Sequence, residues 1–226
     1  VNILLTLVTS LGSVMLPRVA HLLVTGDYKA VNKMHEMSFL VYNLVIFPMM
    51  AGILIVNDDF VQFFLGQDFQ DARYAIAIMI FRMFFIGWTN IMGIQMLIPH
   101  NQNKEFMIST TAPAIISVGL NLLFLPKLGY IGAAIVSVLT EALVWAIQLY
   151  FTSRYLKEVP IIGSMTKIVL ASAIMYGILL GSKTVIHFSP TLNVLVFAVL
   201  GGIIYLFTIL SLKVVDVKEL KQIIKK

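Results

Sequence analysis

Arg82 is the one charged residue in "MIFRMFFIGWTNIMGIQMLIP", residues 79–99, a run otherwise built of apolar, small or neutral side chains. On a helix at 100° per residue, Ala75, Thr89 and Gly93 fall within about 20° of Arg82, so the cation lies on a small and polar stripe. A charge at mid-membrane costs about 2.5–3.5 kcal/mol on the insertion scale and therefore faces a cavity or a partner. A guanidinium offers a planar fork that suits phosphate or carboxylate oxygens. Glu141 is the only acid deep in any apolar run, and it shares a helical face with Tyr130, Ala134, Ser137 and Gln148. Three readings of Arg82 stay open: contact with an anionic phosphate of a cargo, an ion pair with Glu141, or snorkelling to the near membrane surface. Glu141 is also a candidate for a coupling proton or cation. Thr110, Pro113, Ser117 and Asn121 line up on a further helix, as do Asn2, Thr6, Thr9 and Ser13. Such faces permit either close helix packing or a hydrated cavity. The cavity candidates are Arg82, Thr89, Asn121, Ser137, Glu141 and Gln148.

Covalent chemistry finds little support. His21, His35, His100 and His187 stand at connections or span ends without ligand spacing, and each is expected to be solvated. There is no Gly-rich phosphate loop, no HExxH and no nucleophile beside a base, and the chain has no cysteine. No metal, cofactor or catalytic group is expected, and the chain is read as a non-enzyme. A membrane-embedded glycosyl or acyl transferase, the rival from the enzyme class, calls for a cluster of His, Asp or Arg at one membrane face. A non-transporting scaffold is disfavoured by polar stripes on four spans.

The elements that must carry these residues follow from composition. Of 226 residues, 59% are hydrophobic and 12% charged, against roughly half and a quarter in soluble domains. Apolar runs long enough to cross about 30 Å of hydrocarbon occur at 1–20, 38–56, 73–98, 106–125, 128–151, 162–181 and 191–212. The expected fold is all-α, a polytopic transmembrane bundle of about seven spans. The net charge of +5 does not imply nucleic acid, because the basic residues concentrate in alternate connections and in the tail. That bias puts 21–37, 99–105, 152–161 and the C-terminus in the cytoplasm. The tail "KVVDVKELKQIIKK" is amphipathic and suits either a helix against anionic lipid or a solvated anchor. The connection "NDDFVQFFLGQDFQDAR" mixes Asp58, Asp59, Asp68 and Asp71 with four phenylalanines and is expected at the outer interface. Pro48 and Pro113 fall inside spans, where proline commonly bends a helix.

Four strings, "VMLPRVAHLLVTGDYKAVNK" at 14–33, "FFLGQDFQDA" at 63–72, "GIQMLIPHNQNKEF" at 93–106 and "LNLLFLPKLGYIGAAIVSVLTEALV" at 120–144, resemble the bacterial flippases of lipid-linked polysaccharide repeat units (O-antigen or capsule), within the multidrug/oligosaccharidyl-lipid/polysaccharide exporter superfamily. The resemblance implies two similar helical bundles with the lipid-linked oligosaccharide passing between them by alternating access in the cytoplasmic membrane. It makes this chain a C-terminal portion: residues 1–156 the core of the second bundle, 157–212 two peripheral transmembrane helices, and 213–226 a basic cytoplasmic tail. The implied partners are the lipid-linked sugar, membrane lipid, the N-terminal bundle of the full-length transporter and polysaccharide polymerase machinery. A multidrug or cation exporter of the same superfamily is the nearer alternative function.

Overall fold

A computed structural model describes residues 15–185 and 188–214. All regular structure among them is helical: α1 (Met15–Val24), α2 (Tyr28–Phe64), a short 3₁₀ turn (Gln67–Phe69), α3 (Ala72–Asn90, continued as a π-helical segment over Ile91–Leu97), α4 (Asn103–Leu156), α5 (Ile161–Lys183) and α6 (Pro190–Ser211). The expected membrane bundle is observed, with five helices among the described residues long and apolar enough to cross a bilayer. The span expected at 1–20 lies mostly outside the described residues, as do His187 and the tail beyond residue 214.

A straight helix with the 54 residues of α4 would be about 81 Å long, more than twice the hydrocarbon thickness. α4 is two spans. Gly129, with φ 54° and ψ −136°, breaks the helical path, a conformation that a Cβ would disfavour. The arms double back on each other, since Gln148 Nε2 donates to Ser109 Oγ at 3.2 Å and Tyr155 Oη to Gln102 Oε1 at 3.2 Å. In a straight helix those pairs would stand about 60 and 80 Å apart. Pro113 sits buried within the first arm, and the break falls at Gly129, next to the boundary expected between the spans at 106–125 and 128–151.

The helices group into two compact units. The first takes the chain up to Tyr42 together with Tyr74–Ile161. Its interior is Phe39, Tyr42, Met83, Ile91, Met92, Met96, Leu97 and Val136, and the Tyr42 hydroxyl donates to the Met83 carbonyl. The second takes Asn43–Arg73 and the residues from Ile162 onward, packed through Ile46, Ile55, Ile168, Met175, Leu179 and Phe197. On α5 and α6 many apolar side chains, among them Leu170, Ile174, Leu195, Val199, Leu206 and Phe207, stay exposed. That is the surface expected of helices whose solvent is lipid.

Within each unit, side-chain bonds gather particular connections at one end. In the first, Asn32 Nδ2 donates to Glu158 Oε2 at 2.7 Å and Tyr155 meets Gln102, which joins 21–37, 99–105 and 152–161. In the second, Lys183 Nζ lies 3.1 Å from Asp59 Oδ2 and donates to the Ile55 carbonyl at 2.6 Å, while Asn193 Nδ2 donates to Asp59 Oδ1 at 2.9 Å. Asp58 and Asp59 belong to the last turns of α2, where Asp58 lies 3.6 Å from Arg73.

Candidate functional site: an ion pair between α3 and α4

α3 and the second arm of α4 present their single deep charges to each other. Arg82 Nη2 donates to Glu141 Oε1 at 2.9 Å and Nε reaches the same oxygen at 3.3 Å. Both bonds use one carboxylate oxygen, so among the described residues Glu141 Oε2 and Arg82 Nη1 are left without a hydrogen-bond partner. The side chains keep 37% and 19% of their exposure, so the pair is neither sealed nor free in solvent. Next to it stands an aromatic wall: the Trp145 ring centroid lies 5.8 Å from Phe85 and 6.4 Å from Trp88. Low-polarity surroundings strengthen the attraction and raise the cost of losing either partner.

The other cavity candidates do not join this pair. The Thr89 hydroxyl donates to its own helix at Ile86, 2.9 Å away, and Asn121 Nδ2 to Ser117 at 2.9 Å, both local bonds. Ser137 is half-buried on the face of α4 that carries Glu141. Gln148 is 1% exposed and bonded to Ser109, so it serves the contact between the arms of α4. Among the described residues no group of three or more His, Asp or Glu could hold a metal ion.

Sequence reasoning missed a buried polar group around the π segment. His35, expected to be solvated, is 1% exposed and places Nε2 3.0 Å from the Gln95 carbonyl. The Gln95 side chain is also buried and accepts from Ser38 Oγ at 2.7 Å. The signal was available. Pro99 follows Gln95 by four residues and has no N–H, so an α-helix there would orphan the Gln95 carbonyl and press the proline ring against it. Widening to i→i−5 bonds, Ile98 N to Gly93 O at 3.1 Å and Gln102 N to Leu97 O at 2.9 Å, relieves the clash. A side chain from α2 then supplies the missing donor.

His100, also expected to be solvated, lies just past the π segment in the connection to α4 and is half-buried. Its Nδ1 sits 2.7 Å from the Met96 carbonyl, and its ring stacks on Tyr155 at 4.0 Å, with the Arg154 guanidinium 4.6 Å from the same Tyr155 ring. Burial pushes the imidazole below its ordinary value and the Arg154 charge acts in the same sense, while the Met96 bond opposes them. As pH falls through the ordinary value of 6.5, the unfolded chain takes up a proton before the folded one does. This stability is therefore complete above that pH, is lost below it, and levels off once the folded imidazole is protonated. His100→Asn, which keeps a donor near Nδ1 but cannot titrate, is expected to flatten the dependence of melting temperature on pH between about 7.5 and 5. Equal slopes in the two proteins would refute the assignment.

No family profile matches the chain. It is 26% identical over 230 residues to an uncharacterized membrane protein of Methanocaldococcus jannaschii, covering 100% of this chain and 44% of that protein. It is 22% identical over 199 residues to a probable low-salt glycan biosynthesis flippase of Haloferax volcanii, covering 87% of this chain and 41% of the relative. The chain thus spans less than half the length of the curated relatives it matches. Both relatives are archaeal, whereas the motifs resembled a bacterial group. Among solved structures, the lipid II flippase MurJ in an inward closed conformation superposes with a TM-score of 0.72 at 18% identity, over 87% of this chain and 41% of that one. The likeness shows a shared fold.

Proposed function

We propose that this chain is part of a flippase that carries lipid-linked oligosaccharide units across the cytoplasmic membrane by alternating access, with Arg82 meeting the anionic head of the cargo. The observation that carries the reading is the partly exposed Arg82–Glu141 pair, which leaves one guanidinium nitrogen available on a fold shared with a lipid II flippase. The similarity to a glycan biosynthesis flippase supports the same cargo class. A flippase makes no covalent bond. It shelters a phosphate and a sugar chain from hydrocarbon and releases them on the other side, and a guanidinium with a spare edge suits that task. In this reading residues 1–156 form the core of a second bundle that works with an N-terminal bundle, α5 and α6 are peripheral, and the basic tail from 213 is on the cytoplasmic side. Glu141 is the candidate for a coupling proton or cation, and a polysaccharide polymerase takes the delivered units.

Deleting the full-length gene is expected to leave lipid-linked units on the cytoplasmic leaflet, measured by accessibility of the sugar to a membrane-impermeant probe. Normal delivery of the units together with raised drug sensitivity would replace this reading with an exporter. Orientation has its own check. The chain has no native cysteine, so a single cysteine at Asp68, which is exposed, should react from outside intact cells, and one at Lys157 only after lysis. The reverse pattern would invert the topology.

A further inference from the structure

The end of α3 is held together in an unusual way. Backbone bonding in the π segment runs i→i−5 and then meets Pro99, which donates nothing. Anchoring passes from backbone to side chains of another helix: His35 Nε2 on the Gln95 carbonyl at 3.0 Å and Ser38 Oγ on Gln95 Oε1 at 2.7 Å. A carbonyl can only accept, so Nε2 carries the proton. The other ring nitrogen, Nδ1, is buried without a partner, so the imidazole is held by one bond. On the opposite flank the segment offers no side chain at Gly93, where a Cβ would lie 2.6 Å from the Phe106 ring and 3.0 Å from Gln148 Nε2. The contact is a close, smooth bearing. Past the proline, Asn101 adopts φ 58°, so the chain turns sharply before α4.

We propose that residues 91–99 are a hinge and that His35, with Ser38, is its latch, the imidazole standing in for the N–H that Pro99 lacks. Backbone bonds of an α-helix cannot be switched singly, whereas two side-chain bonds from a neighbouring helix can. When the latch opens, the connection 98–102 swings about the π segment while Gly93 turns against Phe106. The inference concerns motion of this chain and does not depend on the identity of any cargo.

Hydrogen exchange of the purified full chain in lipid nanodiscs at about pH 7.5 tests it. His35→Leu is expected to raise exchange of the amides at 98–102 by about tenfold or more while leaving those of α5 and α6 unchanged. His35→Gln, whose amide nitrogen occupies the place of Nε2, should keep the wild-type protection. Adding Pro99→Ala to His35→Leu should restore protection, because residue 99 can then donate to Gln95. No change in His35→Leu, a rise spread equally over α5 and α6, loss of protection in His35→Gln, or failure of Pro99→Ala to rescue would each overturn the latch. Should His35→Leu not accumulate, Pro99→Ala alone decides: exchange at 98–102 must fall below wild type, and an unchanged or higher rate overturns the proposal.

Discussion

Arg82→Gln and Glu141→Gln, made singly, will each lower the amount of folded protein in the membrane, and the double substitution will restore it. Either single change strands one charge in a setting that gives it 37% or 19% exposure. The cost is about 2–3 kcal/mol, limited where the remaining side chain can reach toward the membrane surface. The double change removes both charges and leaves two amides able to bond each other, which is often near neutral. Transport separates the two roles of the arginine. If Arg82 also meets the phosphate of the cargo, the double variant will be abundant and inactive, and Arg82→Lys will fold yet carry cargo at least about tenfold more slowly, because a point charge replaces a fork. Abundance and transport restored together in the double variant would reduce the pair to a structural clasp and remove the cargo contact.

Lys183→Met is expected to lower the melting temperature of the purified protein by about 6–12 °C, corresponding to about 3 kcal/mol in a domain of this size. Lys183 is a single clasp for two acceptors, the Asp59 carboxylate at 3.1 Å and the Ile55 carbonyl at 2.6 Å. Asp59 keeps 13% of its side-chain exposure, so removing the ammonium leaves a poorly hydrated carboxylate held only by Asn193. Asp59→Asn in the same background should recover most of the loss, since the stranded charge is then gone. A melting temperature within about 2 °C of wild type for Lys183→Met would show that the pair is a surface contact of little weight.

The membrane bundle, the apolar spans from residue 38 onward and the two deepest charges were legible from residue types alone. Twenty-residue apolar runs have few alternatives, and a charge inside one is conspicuous because hydrocarbon penalises it. Helical periodicity also placed Arg82 and Glu141 on polar faces of their own helices. Periodicity describes one helix at a time and carries nothing about which faces meet, so only the tertiary structure could bring Arg82 within hydrogen-bond distance of Glu141. It turned Gln148, on the same stripe as Glu141, toward Ser109 instead. It also drew Asp59 from an apparently acidic loop into a clasp with Lys183 and Asn193, residues more than 120 positions away.

The histidines show the same division from the other side. A histidine near a span end is solvated by default, because nothing in its own neighbourhood offers a partner. His35 is buried because Pro99, 64 positions later, leaves a carbonyl without a donor, and His100 because Tyr155 returns from the far end of α4 to cover it. The sequence determined that the Gln95 carbonyl would need a donor, since proline has no N–H wherever it stands. Which side chain supplies that donor depends on how α2 packs beside α3, and that is decided by burial of Phe39, Tyr42 and Met83 over long separations in the chain.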